Sequence, residues 1–86
     1  LEGSPKKVDG GFYCNNNKLT NLVGSPKEVT GSFYCFNNPD LIELKGFPRK
    51  IGGDVNVTNC GRIFTELNIR ARCEVGRRVY TDEDDE

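Results

Sequence analysis

Histidine, tryptophan and methionine are all absent from the 86 residues. Without histidine, no Ser-His-Asp or Cys-His arrangement can be assembled, which removes the commonest routes to nucleophilic catalysis. The four cysteines, Cys14, Cys35, Cys60 and Cys73, lie 21, 25 and 13 residues apart and form no Cys-x-x-Cys, so the spacing of a zinc centre is missing too. Gly10-Gly11 and Gly52-Gly53 are not followed by the Lys-Ser/Thr and helix of a phosphate-binding loop. No enzyme, no metal and no cofactor is therefore expected. Long apolar runs are also lacking: nothing approaches the roughly 18 residues of a membrane-spanning helix, and no stretch reads as a signal peptide.

Charge of one sign is scarce except at one end. The formal net charge is −1, and without the run Asp82-Glu83-Asp84-Asp85-Glu86 the remainder holds 12 basic against 8 acidic residues, a body of +4. Neither value is extreme enough to name a polyanionic partner. Residues 82–86 are expected to be a solvated, disordered acidic tail. The rest is the length of one domain, which buries only roughly 60 to 65% of its unfolded surface.

What the chain does have is repetition. Gly24-Ser25-Pro26-Lys27-Glu28-Val29-Thr30-Gly31-Ser32-Phe33-Tyr34-Cys35 is matched upstream at an offset of 21 by Gly3 to Cys14, and downstream at 22 by Gly46 to Val57. Such a period signals a solenoid, in which each unit buries its apolar face by stacking on its neighbours. Three repeats of 21–23 residues fill residues 1–64: 1–21, 22–43 and about 44–66. Each opens Leu-x-Gly, with a proline two residues on (Pro5, Pro26, Pro48) that favours a turn or extended connector over helix. A basic and an aliphatic residue then lead into a glycine bend. Phe12-Tyr13-Cys14, Phe33-Tyr34-Cys35 and Val55-Asn56-Val57 are the strand candidates, outer residues inward and the middle one outward.

Phe12-Tyr13-Cys14-Asn15-Asn16-Asn17-Lys18-Leu19 reads apolar-x-apolar-x-x-Asn-x-Leu, and the later repeats follow it with Asn38 and Cys60 at the asparagine position. This resembles the leucine-rich repeat signature. More narrowly, Leu-x-Gly-x-Pro-x-x-Val-x-Gly-x-Phe-Tyr-Cys-x-Asn-Asn is similar to short repeats of tailed-bacteriophage and bacterial proteins. The resemblance implies a leucine-rich-repeat-like right-handed solenoid with a short parallel sheet of about four strands, little helix, and binding through the exposed sheet face. A cytoplasmic location is expected, the host-cell cytoplasm if the protein is phage-encoded. Cys14 and Cys35 share a repeat position and could reach each other, but free packed thiols of an intracellular protein are expected. Asn17, Asn38 and Cys60 should form a structural ladder that satisfies backbone groups where the chain turns.

Past Ile63 the pattern becomes helical. Thr65 suits an N-cap, Glu66 the positive end of the dipole, and Phe64 can staple to Ile69. A C-terminal cap over 65–81 is expected, with a helix at about 66–73 and a fourth strand at about 78–81. The N-terminal edge carries no equivalent cap, so this chain is expected to continue a longer solenoid or to self-associate through that edge.

Two surfaces could carry function. The outward column Tyr13, Tyr34, Asn56 and Tyr80, flanked by Phe36 and Arg78, offers large amphipathic contact area to a protein partner; the same residues also suit a sheet for packing alone. Lys6, Lys27 and Arg49 form a second column, with further arginines in the cap, that could meet nucleic acid or another polyanion or serve as a solubilising rim. A non-catalytic protein-recognition module is the leading reading. The alternatives are polyanion binding and a purely structural or assembly segment.

Overall fold

Each repeat folds as one coil carrying two strands of only two residues, separated by a glycine bend. In chain order these are β1 (Lys7–Val8), β2 (Phe12–Tyr13), β3 (Glu28–Val29), β4 (Phe33–Tyr34), β5 (Lys50–Ile51), β6 (Val55–Asn56), helix α1 (Glu66–Arg70), β7 (Glu74–Val75) and β8 (Val79–Tyr80). This computed structural model describes residues 6–82. The opening of the first repeat, with Leu1, Gly3 and Pro5, and residues 83–86 of the acidic run lie outside the described residues.

The strands form two four-stranded parallel sheets, ordered β1-β3-β5-β7 and β2-β4-β6-β8. Every pairing is in register, so equivalent residues stack: Val8 on Val29, Ile51 and Val75 in the first sheet, and Phe12 on Phe33, Val55 and Val79 in the second. The chain is thus a parallel β-solenoid of about three turns with almost no helix. The residue pattern points to the second sheet only. The first was read as a connector into a bend, because two residues per strand are too few for an alternation of polarity to show.

The inward columns build one core. Leu22, Val29, Phe33, Cys35, Leu41, Val55, Val57 and Ile69 are inaccessible to solvent, and Phe33 stacks on Phe12 at 5.5 Å while Phe47 meets its edge at 5.3 Å. Phe12, Val75 and Val79, on the terminal rungs, are only partly buried. Between the sheets the backbone of one rung rests directly on the next: Gly31 N–H donates to Gly10 O and Gly53 N–H to Gly31 O, both at 2.9 Å. A Cβ on Gly31 would come within 2.7 Å of the Gly10 carbonyl carbon. This close approach is why glycine fills the bend.

Asparagines make the opposite turn. Asn38 is fully buried; its Oδ1 accepts from Asn17 N–H (3.2 Å) and Leu19 N–H (3.3 Å), and its Nδ2 donates to Cys35 O (2.8 Å), Cys14 O (3.2 Å) and Phe36 O (3.3 Å). One side chain therefore ties the first coil to the second. Asn17 donates to Cys14 O (2.9 Å) and Asn15 O (3.2 Å), and Cys60 reaches Cys35 O (3.4 Å) and Thr58 O (3.6 Å) through its weaker thiol donor. A second, outer ladder runs beside it. Asn16, Asn37 and Asn59 all adopt left-handed backbone (φ 62°, 59° and 54°), which asparagine tolerates better than other non-glycine residues. Asn37 Nδ2 donates to Asn16 Oδ1 (2.8 Å) and Asn59 Nδ2 to Asn37 Oδ1 (2.9 Å). Asp82, expected to begin the disordered tail, accepts from Asn59 N–H at 2.7 Å, in the place where Phe36 O and Thr58 O accept from Asn16 N–H and Asn37 N–H in the earlier coils.

Helix α1 begins at the N-cap Thr65, whose hydroxyl accepts from Asn68 N–H (3.0 Å) while Asn68 Oδ1 accepts from Thr65 N–H (3.2 Å). Ile69 and Phe64 enter the core, whereas Leu67 stays exposed. The helix ends at Arg70, with Ala71 at the C-cap. Arg70 explains the early stop: its guanidinium pairs with Glu66 (2.7 Å) and donates to Val75 O (3.1 Å) and Arg77 O (2.7 Å), drawing the chain directly into β7.

Candidate functional site

The register of the second sheet places Tyr13, Tyr34, Asn56 and Tyr80 in one outward column. Their inward neighbours Phe12, Phe33, Val55 and Val79 fix the face, since successive side chains of a strand alternate sides. Tyr13 is the most open, 65% exposed, and Tyr80 is 42% exposed, while Tyr34 and Asn56 are half-buried. The Tyr13 and Tyr34 rings lie 5.2 Å apart at 48°, and Tyr34 and Phe36 lie 6.1 Å apart at 60°. Three aromatic rings thus form a continuous surface across the first two coils. Gly11 extends it: a Cβ there would strike the Tyr13 phenol, so the ring lies over bare backbone.

The strip changes character at the third coil. Asn56 Oδ1 accepts from Thr58 N–H (3.0 Å) and from its hydroxyl (2.7 Å), which turns this side chain along the strand. Beside the column, Ser32 Oγ accepts from Asp54 N–H and Asp54 Oδ1 from Arg78 N–H, each at 3.0 Å. Arg78 is exposed, and its backbone is held by Asp54. These bonds fasten the Ser32-Asp54-Arg78 flank of the column from the second coil to the fourth.

Lys6, Lys27 and Arg49 do stack, through Lys27 N–H to Lys6 O (2.7 Å) and Arg49 N–H to Lys27 O (2.8 Å), with all three side chains exposed. The adjoining outward column of the first sheet alternates in sign: Lys7, Glu28, Lys50, Glu74. Lys7 and Glu28 are 3.9 Å apart. Of the cap arginines, Arg70 is engaged by Glu66 and two carbonyls, Arg72 donates to Leu44 O (3.0 Å), and Arg62 lies 5.6 Å over the Phe64 ring. An open groove of about 400 Å³ here is lined by Leu44, Phe64 and α1, with Glu43, Arg62 and Arg72 among its walls.

No family model, curated protein or solved structure matches this chain.

The cysteines lie inside the solenoid. All four are free, and Cys14 and Cys35 meet within the core. The Cys35 thiol donates to the Cys14 sulfur, which lowers the Cys14 pKa; the same bond, with burial, holds that of Cys35 well above its ordinary value. Burial also raises Cys60, and carries Cys73 up to about 11. Among the described residues no group of three or more His, Cys, Asp or Glu side chains converges to hold a metal ion, and no helix is long and apolar enough to cross a membrane.

Proposed function

We propose that this chain is a non-catalytic protein-recognition module that binds through the outward face of its second sheet. The observation that supports the reading is the run of Tyr13, Tyr34 and Phe36, three rings in succession on the outward face, with Tyr13 exposed and Tyr34 and Phe36 half-buried. Tyrosine offers apolar area with a polar tip and loses little conformational freedom on binding, which is why such residues concentrate binding energy at interfaces. Asn56, Arg78 and Tyr80 would form the remainder of the contact. The same reading takes the coils as leucine-rich-repeat-like, of the kind seen in bacteriophage and bacterial proteins, and the module as cytoplasmic. The repeat grammar with its Asn17-Asn38-Cys60 positions supports the first point, and the four free thiols support the second.

Polyanion binding through Lys6, Lys27 and Arg49 is the less favoured reading, because the neighbouring column interleaves Glu28 and Glu74 with its lysines and Arg70 is occupied within the fold. The decisive experiment captures partners from a lysate on the immobilised chain and on the Tyr34→Ala/Phe36→Ala variant. Loss of the captured protein at unchanged melting temperature supports the face as the site. Undiminished capture, or retention only of nucleic acid that salt releases, would overturn it.

A further inference from the structure

The two ends of the solenoid are complementary to each other, and we propose that copies of this chain stack head to tail, the β1/β2 edge of one on the β7/β8 edge of the next. Neither edge is closed by another strand among the described residues. In the second sheet Phe12 and Cys14 donate to Ser32 O and Tyr34 O, so the alternation of a parallel strand turns the Tyr13 N–H and C=O toward the open side. At the far end Arg78 O and Tyr80 O accept from Val55 and Val57, which turns the Val79 N–H and C=O outward. Tyr13 and Val79 therefore stand in the offset by which every internal rung pairs with the next. The half-buried Phe12 and Val79 would cover one another, as would Val8 and Val75.

Side chains make the match specific. The first-sheet column runs Lys7, Glu28, Lys50, Glu74, so stacking sets Glu74 of one copy against Lys7 of the next and continues the alternation unbroken. In the outer asparagine ladder each amide donates toward the preceding coil, Asn37 to Asn16 and Asn59 to Asn37. Asn16 Nδ2 is left as a donor without a partner among the described residues. The interface is heterologous, so it grows into an open series and does not close at a dimer.

Sedimentation of the 86-residue chain over a range of concentration at low salt tests the proposal. The expected result is an average mass that climbs continuously with concentration and falls on adding salt. Lys7→Glu and Glu74→Lys, each shown to keep its fold by circular dichroism, should each weaken association about three- to tenfold. An equimolar mixture of the two should restore it, since Lys at 74 then meets Glu at 7. Tyr13→Pro, which removes an edge N–H and no internal ladder bond, should leave monomers. A monomer up to millimolar concentration, a mass that stops at a dimer, or failure of the mixture to recover association would each overturn the proposal.

Discussion

Asn38→Leu removes the side chain that ties the first coil to the second. Five hydrogen bonds end on this fully buried amide, but they are not of equal consequence. Cys14 O retains Asn17 Nδ2, Cys35 O retains the Cys60 thiol, and Phe36 O retains Asn16 N–H. Asn17 N–H and Leu19 N–H have no other partner among the described residues, and leucine would face them with methyl groups. Leaving a buried donor unmade costs about 1–3 kcal/mol. Because Asn17 is exposed and Leu19 half-buried, water recovers part of this, which puts the combined loss at about 2–4 kcal/mol. A chain of 86 residues has a total stability of about 4–13 kcal/mol. The substitution should then lower the melting temperature by about 8–32 °C, at about 4–8 °C per kcal/mol. Thermal unfolding followed by far-ultraviolet circular dichroism measures it. A shift no greater than that of Leu67→Ala, at the exposed side of α1, would refute the ladder as the source of cohesion.

Phe33→Ala empties the space between Phe12 and Phe47 and should cost about 3–5 kcal/mol, more than any other single truncation in the core, as read from chemical denaturation. Gly46→Ala should cost about 2 kcal/mol or more, since Gly46 has φ +90° and a Cβ there would collide with the Leu22 carbonyl; melting equal to the parent would refute that account. The Cys73 thiol keeps its proton up to about pH 11 in the fold but ionises near 9.0 when unfolded, so the unfolded chain binds fewer protons between those limits and stability must fall as pH rises through that window. Cys35, also held well above its ordinary value, acts in the same direction. Cys73→Val should flatten the alkaline slope in a pH series of melting temperatures, and an unchanged slope would assign it to other groups.

Much of this architecture could be read from residue order because a solenoid repeats its local environment. Phe12, Phe33 and Val55 recur at the repeat offsets, and so do Asn17, Asn38 and Cys60, so stacking follows from period alone. Thr65 announced the helix start through its capping chemistry. The first sheet escaped notice because Lys7-Val8 and its equivalents offer one outward and one inward residue each, a pattern indistinguishable from a loop. Asn16, Asn37 and Asn59 escaped because a left-handed backbone leaves no mark beyond the residue type. Of the aromatic surface, the Tyr13-Tyr34 column was legible, whereas the half-burial of Tyr34 and Phe36 against each other was not.

The sequence by itself determined the period, the inward and outward columns, the end of repetition at Ile63 and the exclusion of histidine-based chemistry, since each depends only on residue type and spacing. Only the tertiary structure decided that the chain coils around two sheets, that Asp82 belongs to the fourth coil, and that Arg70 is consumed in closing the cap. The first two outcomes rest on which groups meet across coils more than 20 residues apart in sequence, and the third on which carbonyls the turn after α1 brings to the Arg70 guanidinium. A hydrogen bond of that kind is fixed by geometry in three dimensions and has no signature in local order.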